Sequence, residues 1–151
     1  MANRQAEVTA SWGVKTALHN HLGTPVESQA ELEEFLRRCP EVGLVLDTAH
    51  LAAADGDPRA IVRKYPERLT AIHLKDWFVT NPEIGIKDGW TRRGRFCELG
   101  GGNIGLDNAA VVRELRAVGY DGWILVEHDT HLRDPREDLA VSRRYLRAAG
   151  L

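Results

Sequence analysis

The stretch Val42-Gly43-Leu44-Val45-Leu46-Asp47-Thr48-Ala49-His50 decides how the rest of the chain is interpreted. Its first residues are apolar without alternation, a pattern typical of a strand buried on both faces in a parallel sheet. The run stops at the carboxylate of Asp47, and the imidazole of His50 follows three residues later. Because ligands bind at the carboxyl ends of strands in α/β sheets, Asp47 is a candidate site residue.

The composition favours a single soluble domain. The chain has 151 residues, enough for one core, so we expect one domain over residues 1–151. Its 20 Lys and Arg and 22 Asp and Glu give no basis for binding nucleic acid or a membrane surface. Cys39 and Cys97 form no C-x-x-C pair, which fits a reducing compartment. Since no signal-peptide or membrane-spanning stretch stands out, we expect a cytoplasmic protein.

Strands and helices alternate along the remainder of the chain. We predict a helix over residues 2–12 and strands over 14–18, 69–74 and 123–126. Helix starts are predicted at Ser28 with Glu31 (a capping box), at Asp57-Pro58, at Asp107, and at Asp134-Pro135, where Glu137 would complete a second capping box and Leu139 would be buried. Residues 77–95 are expected to form a long, partly irregular loop, followed by a short strand over 96–99.

The polar residues that end the predicted strands recur at a regular spacing. His19 and Asp47 are 28 residues apart, Asp47 and His73 are 26 apart, and His73 and Glu127 are 54 apart. A period of about 27 residues indicates a βα repeat, and the double interval leaves room for one more unit near residues 96–99. The spacing therefore predicts an α/β fold of about five parallel βα units, a partial TIM barrel, since a closed barrel needs eight.

These strand ends carry imidazoles and carboxylates, namely His19, His21, Asp47, His50, His73 and Glu127. Such a mixed set of nitrogen and oxygen ligands suits a divalent ion such as Mn²⁺, Co²⁺, Zn²⁺ or Mg²⁺. Any one of these residues alone is more often a helix cap or a satisfied hydrogen-bonding group. Their recurrence at one edge of one sheet favours a metal or catalytic cluster.

Other polar residues near the strand ends are candidates for substrate contact. Lys75 and Asp76 directly follow His73 and are well placed to touch a substrate. Arg95 could bind a substrate anion, although a solvated loop is the simpler interpretation. The residues after the last strand, His128, Asp129 and His131, fit either the rim of a site or exposed surface.

Four motifs occur in an order that resembles a known family: LHNHLGT at 18–24, LDTAH at 46–50, HLKD at 73–76 and GYDGWILVE at 119–127. Together they resemble the xylose isomerase-like TIM-barrel superfamily of sugar phosphate isomerases and epimerases, with a leaning toward its inosose dehydratase branch. The resemblance covers nearly the whole chain, but only the C-terminal portion of the family's barrel, from about its third helix to its eighth.

The resemblance implies one divalent metal ion held by Glu, Asp, His and Glu from four strand ends. It makes Asp47, His73 and Glu127 similar to the second, third and fourth ligands, and His50 similar to the substrate-contacting histidine that follows the aspartate. The first ligand departs from the family pattern. Many members have Glu-Asn-His where this chain has His19-Asn20-His21, so either His19 or Glu27 would take that place.

The expected function is that of a metal-dependent isomerase or epimerase acting on a keto-sugar or inosose through an enediolate-like intermediate, or of a dehydratase that shares this intermediate. Glu127 would be the base, with His50 or Lys75 as the acid. Substrate contacts are expected from His21, His50, Lys75, Asp76 and Arg95. The alternative is a truncated, non-catalytic half-barrel that binds a sugar or a partner protein.

The missing strands would leave an open sheet edge, so we expect a homo-oligomer that covers it. Two other enzyme classes fit less well. An amidohydrolase would need further histidines and a final aspartate, and endonuclease IV would need more metal ligands and a basic face for DNA.

Overall fold

The computed structural model describes residues 1–150, which fold around a four-stranded parallel sheet of order β1-β2-β3-β6. The strands are β1 (Ala17–His19), β2 (Gly43–Asp47), β3 (Leu69–Leu74), β4 (Asp76–Val79), β5 (Gly94–Cys97) and β6 (Trp123–Val126). The helices are α1 (Ala2–Ala10), α2 (Gln29–Arg38), α3 (Thr48–Ala53), α4 (Pro58–Lys64), α5 (Ile86–Arg93), α6 (Asn108–Ala117) and α7 (Pro135–Ala148). No helix among the described residues is both long and apolar enough to cross a bilayer.

One face of the sheet is packed against helices. Leu44 and Leu46 of β2, with Ile72 and Leu74 of β3, are buried in one apolar cluster. Side chains from the helices complete this cluster, namely Leu32, Leu36, Ile61, Val62, Val111, Leu115 and Leu146. The helices therefore cover the outer face of the sheet, as they do in a (β/α) barrel.

The opposite, inner face of the sheet is open. Successive strand residues point to opposite faces, and Ala71 is in register with Trp123 and His73 with Leu125. Trp123 is 79 % exposed and Leu125 is 44 % exposed, although both are large and apolar. Nothing within residues 1–150 covers this end of the inner face. This is the face that the other strands of a closed barrel would cover.

The prediction of a parallel α/β partial barrel is confirmed, but the number of strands in it is four rather than five. β3 pairs directly with β6, so the double interval before Glu127 contains no hidden barrel strand. The extra length forms a separate antiparallel pair, β4 and β5, joined through α5.

The predicted irregular loop over 77–95 is therefore wrong, since most of β4, all of α5 and the start of β5 lie in it. The strand predicted over 96–99 is present but begins two residues earlier, at Gly94–Cys97. Trp77 of β4 and Phe96 of β5 pair across the hairpin and are both buried, together with Leu22 and Ala49. This second apolar cluster supports the hairpin. Its strands are too short to show a clear period in the sequence.

Of the two predicted capping boxes, one is confirmed and one is wrong. The capping box of Ser28 and Glu31 forms. Asp134 accepts a hydrogen bond from the Arg136 N–H, so the capping box predicted with Glu137 does not form. Leu139 is 47 % exposed rather than buried, because α7 turns Asp138, Ser142 and Leu146 inward instead. The short helix α3, which follows Asp47 at once, was not predicted.

Arg68 holds the connection between α2 and β2 in place. Its guanidinium donates to the carbonyl oxygens of Leu36 (3.1 Å), Cys39 (2.6 Å) and Val42 (3.2 Å). Helix C-terminal carbonyls lack partners within their own helix, so this one side chain supplies donors that the backbone does not.

We expect Arg68→Met to lower the free energy of unfolding by about 2 kcal/mol, because hydrogen bonds from a charged donor to partly buried carbonyls contribute about 1.5–3 kcal/mol. Urea denaturation followed by circular dichroism measures this change. Arg143→Met, at an exposed position of α7, is the matched control and should change stability by less than about 0.5 kcal/mol. Equal effects of the two substitutions would contradict the role given to Arg68.

Candidate metal centre

Four side chains meet at the carboxyl edge of the parallel sheet. Asp47 is the last residue of β2 and lies beside His73, the second-last residue of β3, since the two are paired in the register of these strands. His19 is the last residue of β1, and Glu127 directly follows β6. The backbone N–H of Glu127 donates to the carbonyl of Leu74 (3.1 Å), which fixes where its side chain starts. Parallel pairing thus gathers residues that are far apart in the sequence.

The four side chains are close enough to share one ion. One ligand atom from each lies within 4.8 Å of the others. His73 Nδ1 and Glu127 Oε2 are 2.6 Å apart, His19 Nε2 and Asp47 Oδ2 are 3.4 Å apart, and His73 Nδ1 and Asp47 Oδ2 are 3.9 Å apart. The sequence placed these residues at one sheet edge, and the structure brings them together.

The closest pair in the cluster is not an ordinary hydrogen bond. His73 Nδ1 and Glu127 Oε2 are both buried and lack a hydrogen-bond partner of acceptable geometry, although only 2.6 Å separates them. Buried polar atoms are nearly always satisfied. An ion bound beside them would give His73 Nδ1 the partner that it lacks and would add to the ion pair that Glu127 Oε2 makes with Lys75 (3.1 Å).

The two oxygens of Asp47 have different tasks. Oδ1 accepts a hydrogen bond from the His50 N–H (2.9 Å) and so caps α3, while Oδ2 faces the cluster. The Asn20 side chain forms two hydrogen bonds with the Asp47 backbone: it accepts from the N–H (2.9 Å) and donates to the carbonyl (3.1 Å). The ligand is thus fixed both at its backbone and at its carboxylate.

The Asp47 carboxylate is ionised despite being fully buried. Burial raises the pKa of this carboxyl, but the hydrogen bonds with His19 and the His50 N–H and the charge of Lys75 outweigh burial, so its net pKa lies below the ordinary value. A deprotonated carboxylate is the form that binds a metal ion.

Lys75 is a buried ammonium surrounded by acids. Its Nζ lies 2.8 Å from Asp129 Oδ2, 3.1 Å from Glu127 Oε2 and 3.2 Å from Asp47 Oδ2. Burial lowers its pKa, but these carboxylates outweigh that effect and the net pKa is raised. The side chain is therefore charged, and Nζ also lies 4.9 Å from the centre of the Phe96 ring.

His50 and His21 form a second group beside the first. Their ring centres are 3.7 Å apart, and with Asp129 they offer three ligand atoms within 4.8 Å of one another. The Leu22 N–H donates to His50 Nδ1 (3.2 Å), so the neutral ring carries its proton on Nε2, 3.7 Å from Asp129 Oδ2. Burial lowers the pKa of His50 to about 3, which keeps this ring neutral.

Three residues named from the sequence lie outside both groups. Asp76 accepts from the N–H groups of Trp77 (2.8 Å) and Gly100 (2.9 Å), so its carboxylate anchors the glycine turn. Glu27 Oε2 accepts from the Gly23 N–H (2.5 Å) and anchors the turn after β1.

Arg95, the third of these residues, stacks over the Phe78 ring at 4.7 Å. It lines a separate cavity of about 260 Å³. The two alternatives for the first ligand were His19 and Glu27. Among the described residues, only His19 belongs to the four-residue group.

Sequence reasoning missed the residues that support the cluster. Asn20 gave no signal, because a buried asparagine between two histidines has no distinctive pattern. Thr48 Oγ1 accepts from the Lys75 N–H (3.1 Å), and Asn108 Nδ2 donates to the Lys75 carbonyl (2.7 Å), which fixes the lysine backbone. Asp129 was left open between rim and surface, and the structure places it against Lys75.

Curated proteins similar to this chain are inosose dehydratases. The inosose dehydratase of Lactiplantibacillus plantarum is 32% identical over 154 residues, covering 96% of this chain and 51% of that protein. That of Klebsiella pneumoniae is 34% identical over 158 residues, covering 96% of this chain and 52% of that protein. The chain thus spans about half the length of the curated relatives it matches.

Solved structures share the fold at low sequence identity. The probable 3-DHS dehydratase AsbF of Bacillus anthracis superposes with a TM-score of 0.73 at 18% identity, over 96% of this chain and 53% of that chain. The IOLI protein with a zinc atom superposes with a TM-score of 0.69 at 18% identity, over 97% of this chain and 52% of that chain.

A sequence profile described as "Xylose isomerase-like TIM barrel" matches residues 2–149. It spans nearly every described residue, including all four strand ends of the cluster. The chain belongs to the xylose isomerase-like TIM-barrel family.

Proposed function

We propose that this chain carries the metal-binding half of a sugar- or polyol-processing enzyme that dehydrates an inosose or a related keto-sugar. The observation that supports this most is the convergence of His19, Asp47, His73 and Glu127 at one sheet edge, with unsatisfied buried atoms facing each other. The names of the curated relatives favour dehydration over isomerisation or epimerisation.

The donor set fits one divalent ion. Two imidazoles and two carboxylates are ligands that Mn²⁺, Co²⁺ and Zn²⁺ share, and Mg²⁺ is the weaker fit because it prefers oxygen. The pKa of Asp47 is lowered, so this ligand is already in its binding form. A bound ion would polarise the substrate's carbonyl and adjacent hydroxyl and so lower the pKa of the neighbouring C–H.

The chain's own residues would then move the protons. Glu127 is the proposed base, because its side chain is 38 % exposed, which leaves room for a substrate whose C–H proton it can receive. His50 carries its proton on Nε2, and Lys75 is a charged ammonium beside it, 3.3 Å away. The Lys75 ammonium can give a proton to a leaving β-hydroxyl, which departs as water when the C–O bond breaks, and the neutral His50 can donate a hydrogen bond to that hydroxyl through its Nε2–H.

Phe96 supplies an apolar wall to this site. Its ring centre lies 4.7 Å from that of His50 and it also faces the Lys75 ammonium. An apolar neighbour limits the access of water to His50 and Lys75 and strengthens the electrostatic interactions there. This wall comes from the β4–β5 hairpin rather than from the parallel sheet.

We further propose that a second copy of this chain covers the inner face of the sheet. Each copy supplies four parallel strands, and a closed barrel has eight. Within residues 1–150, β1 and β6 each have one neighbour in the sheet, so each could pair with the other copy's opposite edge. Trp123 and Leu125 would be buried at this contact. The free thiols of Cys39 and Cys97 support a reducing, cytoplasmic setting.

We expect Asp47→Asn and Glu127→Gln to weaken the binding of Mn²⁺ or Zn²⁺ at least about 100-fold, since even outer-shell changes cost 10- to 100-fold. Metal-dependent turnover of an inosose should be abolished in both variants. Equilibrium dialysis with elemental analysis measures binding, and substrate consumption measures turnover.

The matched control for these carboxylates is Asp121→Asn, at an exposed position just before β6. It should leave metal binding and turnover unchanged. A variant at Asp47 or Glu127 that keeps both metal and activity would overturn the proposed centre.

We expect His50→Gln to keep the metal but to slow dehydration about 10-fold, because the leaving hydroxyl would lose the hydrogen bond from the neutral ring, and one hydrogen bond contributes about 0.5–1.5 kcal/mol. Exchange of the substrate's C–H for deuterium from solvent should continue, because Glu127 is intact. Magnetic resonance of the substrate in D₂O separates the two steps. If exchange and dehydration fall together, His50 does not act on the leaving hydroxyl.

The proposed pairing of two copies predicts a dimer by light scattering. Trp123→Lys should shift the mass to that of a monomer, because a buried unpaired charge is costly at an apolar contact. Leu139→Lys, on the outer side of α7, should leave the mass unchanged. A stable monomer with Trp123 intact would rule this arrangement out.

A further inference from the structure

A third group of potential ligands lies away from the strand-end cluster. His128 and His131 are on the loop between β6 and α7, and Asp138 is in the first turns of α7. One ligand atom from each lies within 4.8 Å of the others. The proposed reaction uses none of these three residues.

His128 is held in the orientation of a metal ligand. Its Nε2 lies 3.3 Å from Ser142 Oγ, which also accepts from the Leu99 N–H (3.1 Å). A hydroxyl oxygen can accept two hydrogen bonds, so it can hold the Nε2–H as well. His128 Nδ1 is buried and has no hydrogen-bond partner. Metal-binding histidines are typically fixed in this way through the other ring nitrogen.

One carboxylate oxygen of Asp138 forms an ion pair, and the other faces His131. The side chain is buried, and its Oδ1 pairs with Arg133 Nε (2.5 Å), whose guanidinium is tied in turn to Glu98 (2.8 Å). Oδ2 faces His131 Nδ1 at 3.9 Å. Arg133 therefore balances the carboxylate charge without occupying the oxygen that faces the histidine.

The separations within this group are too long for hydrogen bonds but close to those between zinc ligands. A hydrogen bond needs about 2.7–3.2 Å, well below the 3.9 Å between His131 and Asp138. Two ligands of a tetrahedral zinc ion with bonds of about 2.1 Å are about 3.4 Å apart. The His128 and His131 ring centres lie 6.0 Å apart at 51°, so the rings do not stack.

We propose that His128, His131 and Asp138 bind a second divalent ion, best matched by Zn²⁺, with water completing a tetrahedral site. Two imidazoles and one carboxylate form a common three-ligand zinc set. His131 is partly exposed, which gives the ion an entry path, whereas Asp138 is buried.

The bound ion would connect the β6–α7 loop, through His128 and His131, to helix α7, through Asp138. This loop carries Asp129, whose Oδ2 lies 2.8 Å from Lys75 Nζ in the strand-end cluster. A zinc ion that fixes the loop at His128 and His131 fixes the residues on both sides of Asp129. The site is therefore expected to order one wall of the neighbouring cluster without taking part in its chemistry.

The test uses the full chain with Asp47→Asn and His21→Asn, which remove one ligand from each of the other two groups and isolate the proposed site. Dialysis against low-micromolar Zn²⁺ followed by elemental analysis should find one zinc per chain. Adding His131→Asn should weaken this binding at least about 100-fold. Co²⁺ should show the intense visible absorption of a tetrahedral centre in the parent and not in the variant with His131→Asn added.

Arg136→Gln in the same background is the matched control, because it changes an exposed side chain at the start of α7. It should leave zinc binding unchanged, and circular dichroism checks that all variants fold. Zinc binding that survives His131→Asn, or no zinc in the parent with Asp47→Asn and His21→Asn, would overturn this site. The strand-end centre is tested separately in the single variant His131→Asn, so the two proposals fail independently.

Discussion

The pairing of β2 with β3 in parallel register is the constraint on which the rest of the site depends. It sets Asp47 beside His73 at the edge of the sheet, and the neighbouring strands add His19 and Glu127. No pair of these residues is close in sequence, so only parallel strands joined by helices bring them to one edge. The apolar outer residues of β2 and β3 hold this register, because a slip of one residue would turn them into the open face.

Electrostatic balance is the second condition for this arrangement. The carboxylates of Asp47, Glu127 and Asp129 approach one another, and like charges this close would destabilise the fold. The Lys75 ammonium lies among all three, and its backbone is held by Thr48 and Asn108. Removing one member of such a group leaves a buried charge without its partner, which is far more costly than exchanging an exposed ion pair.

Much of the fold was predictable because it follows from local signals. The uninterrupted apolar run before Asp47, the capping box at Ser28 and the Asp57-Pro58 helix start each act over a few residues. The strand-end residues were found for the same reason, since each directly ends or follows an apolar strand. Their regular spacing then indicated parallel βα units, although it predicted one strand more than the sheet contains.

The parts that were missed depend on contacts between distant residues. The β4–β5 hairpin is held by Trp77 and Phe96, which pack together. It was missed because the 54 residues between His73 and Glu127 equal two βα repeats and so indicated another barrel strand instead. Asn20 holds the backbone of Asp47, which is 27 residues away, and Ser142 holds the ring of His128, which is 14 residues away. Leu139 was predicted to be buried but is exposed. Helical spacing shows which residues share a face of the helix, but it does not show which face the tertiary structure buries.

The order of contacts along the chain has a consequence for how the site is assembled. His19, Asp47 and His73 become neighbours by closing segments of 28 and 26 residues, whereas Glu127 reaches His73 only after 54. Longer segments are slower to close, since more chain entropy is lost before the contact forms. Glu127 thus joins through the most distant sheet pairing and on the least covered strand. An ion held by all four residues would stabilise this most distant pairing, because a ligand that needs the complete set binds only the folded sheet.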